Sequence, residues 1–462
     1  MSADCPLQDT NPSGRTKTNF APFDKGRRGR GGFRGVDRRN PLVQTKESPP
    51  PPLGDLIEAI SQKSLDNSEG EDVYFGITES KLIASYNWAD QKAPKIIIPG
   101  CPPLWKPLEH PQQLQGDSGV YYRDHNSAFF PKHPLEPAIV SVMRMHPNPL
   151  EIDIVGCNST FGHLLRFVRG IECTFRMLVE VVGETVHLVR RENSPKEQLL
   201  GVKGFGHTFP DAYTIWAPDV QPSKSHHRIL TYRFGGLSLL IRQSCDGYIE
   251  EKETKVLPAT APSKDQEDGI VGHFESLSIN SSSVRLTDAT PLEVVDGGQL
   301  TPQSTIFDLK TRSIRSIDQD TLGNELPRLW AMQIPKFILA HHKHGLFCNI
   351  EVSDIQEEVQ NWEKSHQPDL NRLSALLCRI IATALEKKDT LLEIVRVQGG
   401  PLEIRQRLPD AGVAFSEQVK EQWLKWLDGG GEAHNDSDSE SGSESGDFTG
   451  CNEECGYCGK CS

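Results

Sequence analysis

Short apolar runs, each closed off by Gly, Pro, Asn or Asp, recur along the chain from Val73 onward, and that spacing restricts it to folds built around pleated sheet. A strand crosses a domain in a handful of residues while a helix needs ten or more, so run length and period separate the two. Segments 82–88 (LIASYNW), 95–99 (KIIIP) and 152–155 have strand character. So do 176–182 and 185–190, either side of the turn Gly183-Glu184, and 228–232 and 237–242, either side of Gly235-Gly236. Helical spacing marks 160–168 and a stretch from Leu322 to His341, which Pro327 and Pro335 should interrupt or kink. Ser353 and Gln356 have capping-box spacing ahead of Ile355, Val359 and Trp362. Leu370, Leu373, Leu377, Ile380 and Ala384 mark a second amphipathic helix, and Phe415, Val419 and Trp423 a last one. With further strands at 305–310, 346–352, 391–397 and 402–406, the pattern is α+β: mixed β-sheets flanked by helices in one domain at 73–428.

The ends of the chain differ in composition. Residues 1–54 read as a disordered Arg/Gly-rich and Pro-rich arm, and 429–462 as a disordered acidic Ser-rich tail. The interval 251–300, rich in Ser, Thr, Asp, Glu and Pro, reads as a largely disordered insertion. Net charge is −13, yet residues 1–40 hold nine Lys/Arg against four Asp, while 432–454 hold eight acids and no Lys or Arg. An acidic total therefore does not exclude RNA bound by a basic arm and a local groove. In KGRRGRGGFRGVDRR, Arg27, Arg28, Arg30 and Arg34 suit phosphate contact and Phe33 suits base stacking. A solvated tail or a nuclear-import address is the equally ordinary reading. No run of 18 apolar residues exists and the first 20 residues lack a secretory signal's apolar stretch, so no membrane contact is expected and the location is nucleus or cytoplasm. Cys451, Cys455, Cys458 and Cys461 follow the spacing C-x3-C-x2-C-x2-C. Four thiolates so placed suit a tetrahedral Zn²⁺ site, with a reduced, metal-free tail or a docking signal as the alternatives.

Chemistry concentrates in two places. Asp246 follows the strand LSLLIR, and Asp308-Leu309-Lys310 lies inside the strand TIFDLKT. Residues two apart on a strand project to one face, so Asp308 and Lys310 point the same way. Two carboxylates from neighbouring strands can hold Mg²⁺ or Mn²⁺, and the lysine can orient a water or stabilise negative charge developing on a phosphate. The chain has no Asp-Asp pair, which argues against prenyl-diphosphate chemistry. His341, His342 and His344 cluster without a convincing fourth ligand and read as surface histidines.

The serial order of motifs is GETVHLVRRE at 183–192, GFGHTF at 204–209, SHHRILTYRFGGLSLLIRQSCD at 225–246, FDLKTRS at 307–313 and LPRLWAMQIPKFIL at 326–339. This order resembles the decapping-exonuclease family of the PD-(D/E)XK nuclease superfamily, relatives of the stimulatory partner of a 5′-to-3′ exoribonuclease, as a divergent member. The resemblance implies a PD-(D/E)XK core and a metal-dependent RNA 5′-end hydrolase of decapping, pyrophosphohydrolase or exonuclease type. It further implies Mg or Mn as cofactor, RNA as ligand, and an exoribonuclease as possible protein partner. By matched position, Glu192, Asp246 and Asp308 resemble the metal-binding acids, and Asp246, Asp308 and Lys310 the catalytic set. Gln333, Arg228 and Arg233 fall where the family faces RNA. Ser244 stands where the family has a Glu, and Asp308 is shorter than the family's Glu. The alternative is a catalytically reduced RNA-binding or adaptor protein of the same fold.

Overall fold

A computed structural model describes residues 48–66, 73–199, 201–250, 291–409 and 412–429. In chain order the strands are β1 (Leu56–Ile60), β2 (Thr78–Ala89), β3 (Lys95–Gly100), β4 (Leu104–Trp105), β5 (Ile154–Cys157), β6 (Phe175–Val182), β7 (Thr185–Arg191), β8 (Thr214–Ile215) and β9 (Ser223–Phe234). They continue with β10 (Leu237–Cys245), β11 (Gly247–Tyr248), β12 (Glu293–Gly298), β13 (Ile306–Ser313), β14 (Lys336–Lys343), β15 (Leu346–Asp354), β16 (Leu392–Arg396) and β17 (Leu402–Gln406). The helices are α1 (His125–Phe129), α2 (Glu136–Met145), α3 (Asn158–Val168), α4 (Thr208–Tyr213), α5 (Thr321–Met332), α6 (Gln356–Ser365), α7 (Gln367–Glu386) and α8 (Glu417–Leu427). Eleven strands form one mixed sheet in the order β1-β17-β16-β6-β7-β5-β10-β9-β2-β3-β12, and six form a second in the order β15-β14-β13-β11-β4-β8.

Alternation along the strands explains why helices cover both faces of the large sheet. In β10, Leu239 and Ile241 join a core with Phe161 and Leu164 of α3 and Leu373 and Leu377 of α7. Leu240 points the other way, into a core with Ile139 and Val142 of α2 and Val419 and Trp423 of α8. Each Leu or Phe so buried contributes about 1.5–3 kcal/mol. The β5-to-α3 junction is fixed by Thr160, whose hydroxyl oxygen accepts from the Cys157 N–H at 3.1 Å, capping the first turn.

The structure departs from the sequence pattern in four places. β1 precedes Val73 and completes the edge beside β17; it follows closely on the Pro-rich stretch 49–52, whose composition masks the short apolar run. β12 lies inside the interval read as a disordered insertion and pairs parallel to β3; its Gly-terminated run EVVDGG hides the signal. α2 opens with Pro137 in its first turn, where a missing N–H costs nothing. The stretch read as one helix to His341 divides: α5 ends at Gln333, whose φ of 51° is left-handed, and Pro335 and the apolar run beyond it open β14. Pro327 stays inside α5. The arm residues Arg27, Arg28, Arg30, Phe33 and Arg34, and the cysteines Cys451, Cys455, Cys458 and Cys461, lie outside the described residues. Among the described residues no helix is long and apolar enough to cross a membrane.

Candidate active site

Asp246 is the single residue between β10 and β11, so it links the two sheets. β11 pairs antiparallel with β13 through Gly247↔Phe307. A Cβ at Gly247 would fall 2.5 Å from the Phe307 ring and 2.7 Å from the Pro103 carbonyl oxygen, so this approach requires glycine. The consequence is that Asp246 lies against Asp308, and its Oδ2 accepts from the Leu309 N–H at 2.8 Å. Asp308 is 4% exposed. Asp308 and Lys310 share a face of β13, as their two-residue spacing requires, and both reach residues of α5.

Those α5 residues, Glu325 and Arg328, decide the electrostatics. Arg328 donates from Nη1 to Asp308 Oδ2 at 2.8 Å and from Nη2 to Asp308 Oδ1 at 2.5 Å. Its Nε donates to Glu325 Oε2 at 2.9 Å. Lys310 Nζ lies 3.7 Å and Arg312 Nη2 lies 3.9 Å from the Glu325 carboxylate. Asp308 and Glu325 are thus held tightly by Arg328, while Lys310 and Arg312 approach Glu325 only at longer range. Burial and the neighbouring Asp308 push the Asp246 carboxyl up to about 6, against the pull of the Leu309 N–H, Lys310 and Arg328. Burial works against the Arg328 charge, but Asp308, Glu325 and Asp246 raise its pKa above the ordinary arginine value.

This arrangement does not fit a resident divalent ion. Mg²⁺ needs near-octahedral oxygen donors and Ca²⁺ six to eight. Here both Asp308 oxygens and one Asp246 oxygen already accept from N–H groups. Ser244 is exposed. Among the described residues, no three or more His, Cys, Asp and Glu are placed to hold a metal ion.

The other sequence-derived residues lie elsewhere. Glu192 accepts from Arg190 Nε at 2.6 Å and borders a separate cavity of about 230 Å³. Arg228 is a core residue rather than an RNA-facing one: it is 0% exposed, with Nε donating to Gln303 Oε1 at 2.9 Å and Nη2 to the Thr301 carbonyl at 2.7 Å. Its position on β9 turns it inward. Arg233 is exposed and pairs with Glu79 at 3.5 Å. It lies opposite Ser238 at the far end of the β9–β10 hairpin, roughly 26 Å of strand from Asp246 at ~3.3 Å per residue. Gln333 uses its amide to cap its own helix, donating to the Trp330 carbonyl at 2.7 Å.

Beyond Lys310, β13 runs into a cavity of about 400 Å³ lined by residues 311–313, the 202–207 loop, Asp117 and His342. Asp117 is engaged there, accepting from Thr208 N at 2.9 Å, Thr208 Oγ1 at 3.1 Å and His207 N at 3.2 Å. Lys203 and Arg312 are its cations. His207 stacks on Tyr121 at 3.7 Å, and His342 meets the Phe205 edge at 4.5 Å. Burial lowers the pKa of both histidines. His341, read from sequence as a surface residue, is 3% exposed because it belongs to a central strand. The sequence reading missed Glu325, Arg328, Arg312 and Lys203. A Glu and an Arg three apart on a helix after the FDLKT strand were the available signal for the first two.

A sequence-family model described as "Domain of unknown function (DUF8563)" matches residues 58–395. The chain belongs to this family. No curated protein matches it. Among solved structures, Scheffersomyces stipitis Rai1, in complex with (3′-NADP)⁺ and calcium ion, is 11% identical, with 81% of this chain and 99% of that chain covered at a TM-score of 0.50. Schizosaccharomyces pombe (S. pombe) Rai1 is 10% identical over 76% of this chain and 99% of that one, TM-score 0.49. Candida albicans Rai1, in complex with pU5-Mn²⁺, is 11% identical over 80% and 99%, TM-score 0.48. At this identity the Scheffersomyces likeness is one of fold. The DUF8563 chain has the fold that the motif order led one to expect.

Proposed function

We propose that this protein binds the 5′-phosphorylated end of RNA in the cavity between the 202–207 loop and β13, and that its acid pair is catalytically reduced. The observation that carries this reading is the imbalance of available charge. Asp117 and Asp308 are already bonded, whereas Lys203 and Arg312 line the cavity and Lys310 precedes it on β13, with at most loose ion pairs. A phosphate there meets cations that need little rearrangement. The fold shared with a Rai1 solved with (3′-NADP)⁺ makes a nucleotide the ligand class to test.

Fluorescence anisotropy with 5′-monophosphate, 5′-triphosphate and 5′-hydroxyl RNA of one sequence tests this. The phosphorylated RNAs are expected to bind about tenfold more tightly than the hydroxyl form, on the order of one charge-assisted contact. Equal affinity for all three overturns the reading.

A second reading, a metal-dependent RNA 5′-end hydrolase, is favoured by the meeting of Asp246, Asp308 and Lys310 around one strand pair. It requires Arg328 to release Asp308. Product formed from these RNAs in Mg²⁺ or Mn²⁺, and lost in Asp308→Ala with Lys310→Ala, would establish it.

A further inference from the structure

We infer that Arg328 is the resident cation of this site: its guanidinium stands between Asp308 and Glu325 in place of a divalent ion, so phosphate is held at Lys310 and Arg312 without metal. The second half of this inference rests on the RNA-end reading; the first does not.

The geometry of Arg328 carries the argument. A guanidinium meets a carboxylate through two parallel N–H···O bonds, and Asp308 receives both. The same side chain turns its Nε to Glu325, so one cation satisfies two acids from two elements, as a bridging metal would. Asp308 is nearly buried, which separates this pair from exposed ion pairs of little consequence. A divalent ion entering here must displace the fork and then lie against its positive charge. The pattern repeats at Glu192, the other acid expected to bind metal, which is taken by Arg190. Two acids of the expected set are therefore neutralised by arginine, and the third, Asp246, is held by a backbone N–H.

With the acids neutralised from within, the cations left to an incoming anion are Lys310 and Arg312, whose contacts to Glu325 are long. A metal-dependent site would bind phosphate through the ion; this one binds it through side chains that continue along β13 into the cavity.

Mn²⁺ titrated into the chelator-treated full chain without RNA, with free Mn²⁺ read by electron paramagnetic resonance, tests the first half. Wild type and Asp308→Asn are expected to give the same curve. Arg328→Gln is expected to gain a Mn²⁺ site about tenfold tighter than anything on the wild type, and Asp308→Asn added to Arg328→Gln should remove it. A Mn²⁺ site on the wild type that Asp308→Asn abolishes overturns the inference, as does a folded Arg328→Gln protein that gains none. Should Arg328→Gln fail to fold, the comparison of wild type with Asp308→Asn decides alone: identical curves sustain the inference, and loss of a site overturns it. In a separate arm, 5′-monophosphate RNA should bind equally, within about twofold, in chelator and in Mn²⁺. Metal-dependent RNA binding contradicts the second half. Absence of RNA binding in both buffers defeats the RNA-end reading and with it the second half, while leaving the Mn²⁺ result on the bare protein to stand or fall by itself.

Discussion

The two halves of β13 share a partner strand and differ in what becomes of their charges. Residues 306–310 carry Asp308 against Asp246, and every acid there has a hydrogen-bonded or ionic partner within the protein. Residues 311–313 border the open cavity, where the acid Asp117 is engaged and the cations Arg312 and Lys203 are not tightly matched. One end is a closed ionic cluster and the other a basic pocket. Likeness of fold carries the strand scaffold over, while the state of the site is decided by helix residues that face the strand.

The comparison breaks most visibly at Arg328. Arg328→Ala leaves Asp308 buried without its cation and is expected to lower stability by about 2–3 kcal/mol in denaturant unfolding, the lower side for such pairs because Arg328 keeps some solvent contact. Replacing Asp308 by Asn in the same chain should recover part of that loss. Full stability in Arg328→Ala would mean that the cluster is loosely held.

Asp246 gives the next largest effect, and its sign is opposite to that of an ordinary ion-paired carboxylate. Its pKa rises from 3.8 to about 6 on folding, so the folded chain holds this proton more tightly than the unfolded one. The group therefore stabilises below about pH 4, and that contribution is lost as the pH rises through 6. Wild type should lose up to about 3 kcal/mol relative to Asp246→Asn between those limits, measured as unfolding free energy against pH. Parallel curves for the two proteins would place Asp246 in contact with solvent.

At the basic end, Arg312→Ala should weaken binding of 5′-phosphorylated RNA about tenfold and reduce the salt slope by about one. Asp308→Asn should change it far less, and equal effects would erase the distinction between the halves. The smallest effect belongs to Arg233→Ala: its exposed pair with Glu79 is expected to be worth less than about 0.5 kcal/mol, with no change in RNA affinity.

The strand scaffold was legible because its period-two runs are long enough to register: the β9–β10 and β6–β7 hairpins, and β13 with Asp308 and Lys310 on one face. Edge strands β1 and β12 were not, since each is a short apolar run set in a Pro-rich or polar stretch whose composition masks it. The Asp246–Asp308 meeting followed from strand order, but its fixing by Gly247 did not, because a close approach leaves no mark beyond one glycine. Arg228 misled: an arginine on a strand reads as exposed, and only the tertiary fold shows that its β9 position turns inward. Arg328 escaped notice because pairing between a helix and a strand is a matter of tertiary distance, not spacing.

The most direct test of this account is a crystal of the protein soaked in Mn²⁺, with anomalous scattering used to locate the ion. No anomalous peak is expected between Asp246 and Asp308, with Arg328 still bonded to both Asp308 oxygens. A Mn²⁺ peak there, with the Arg328 side chain turned away, would contradict it.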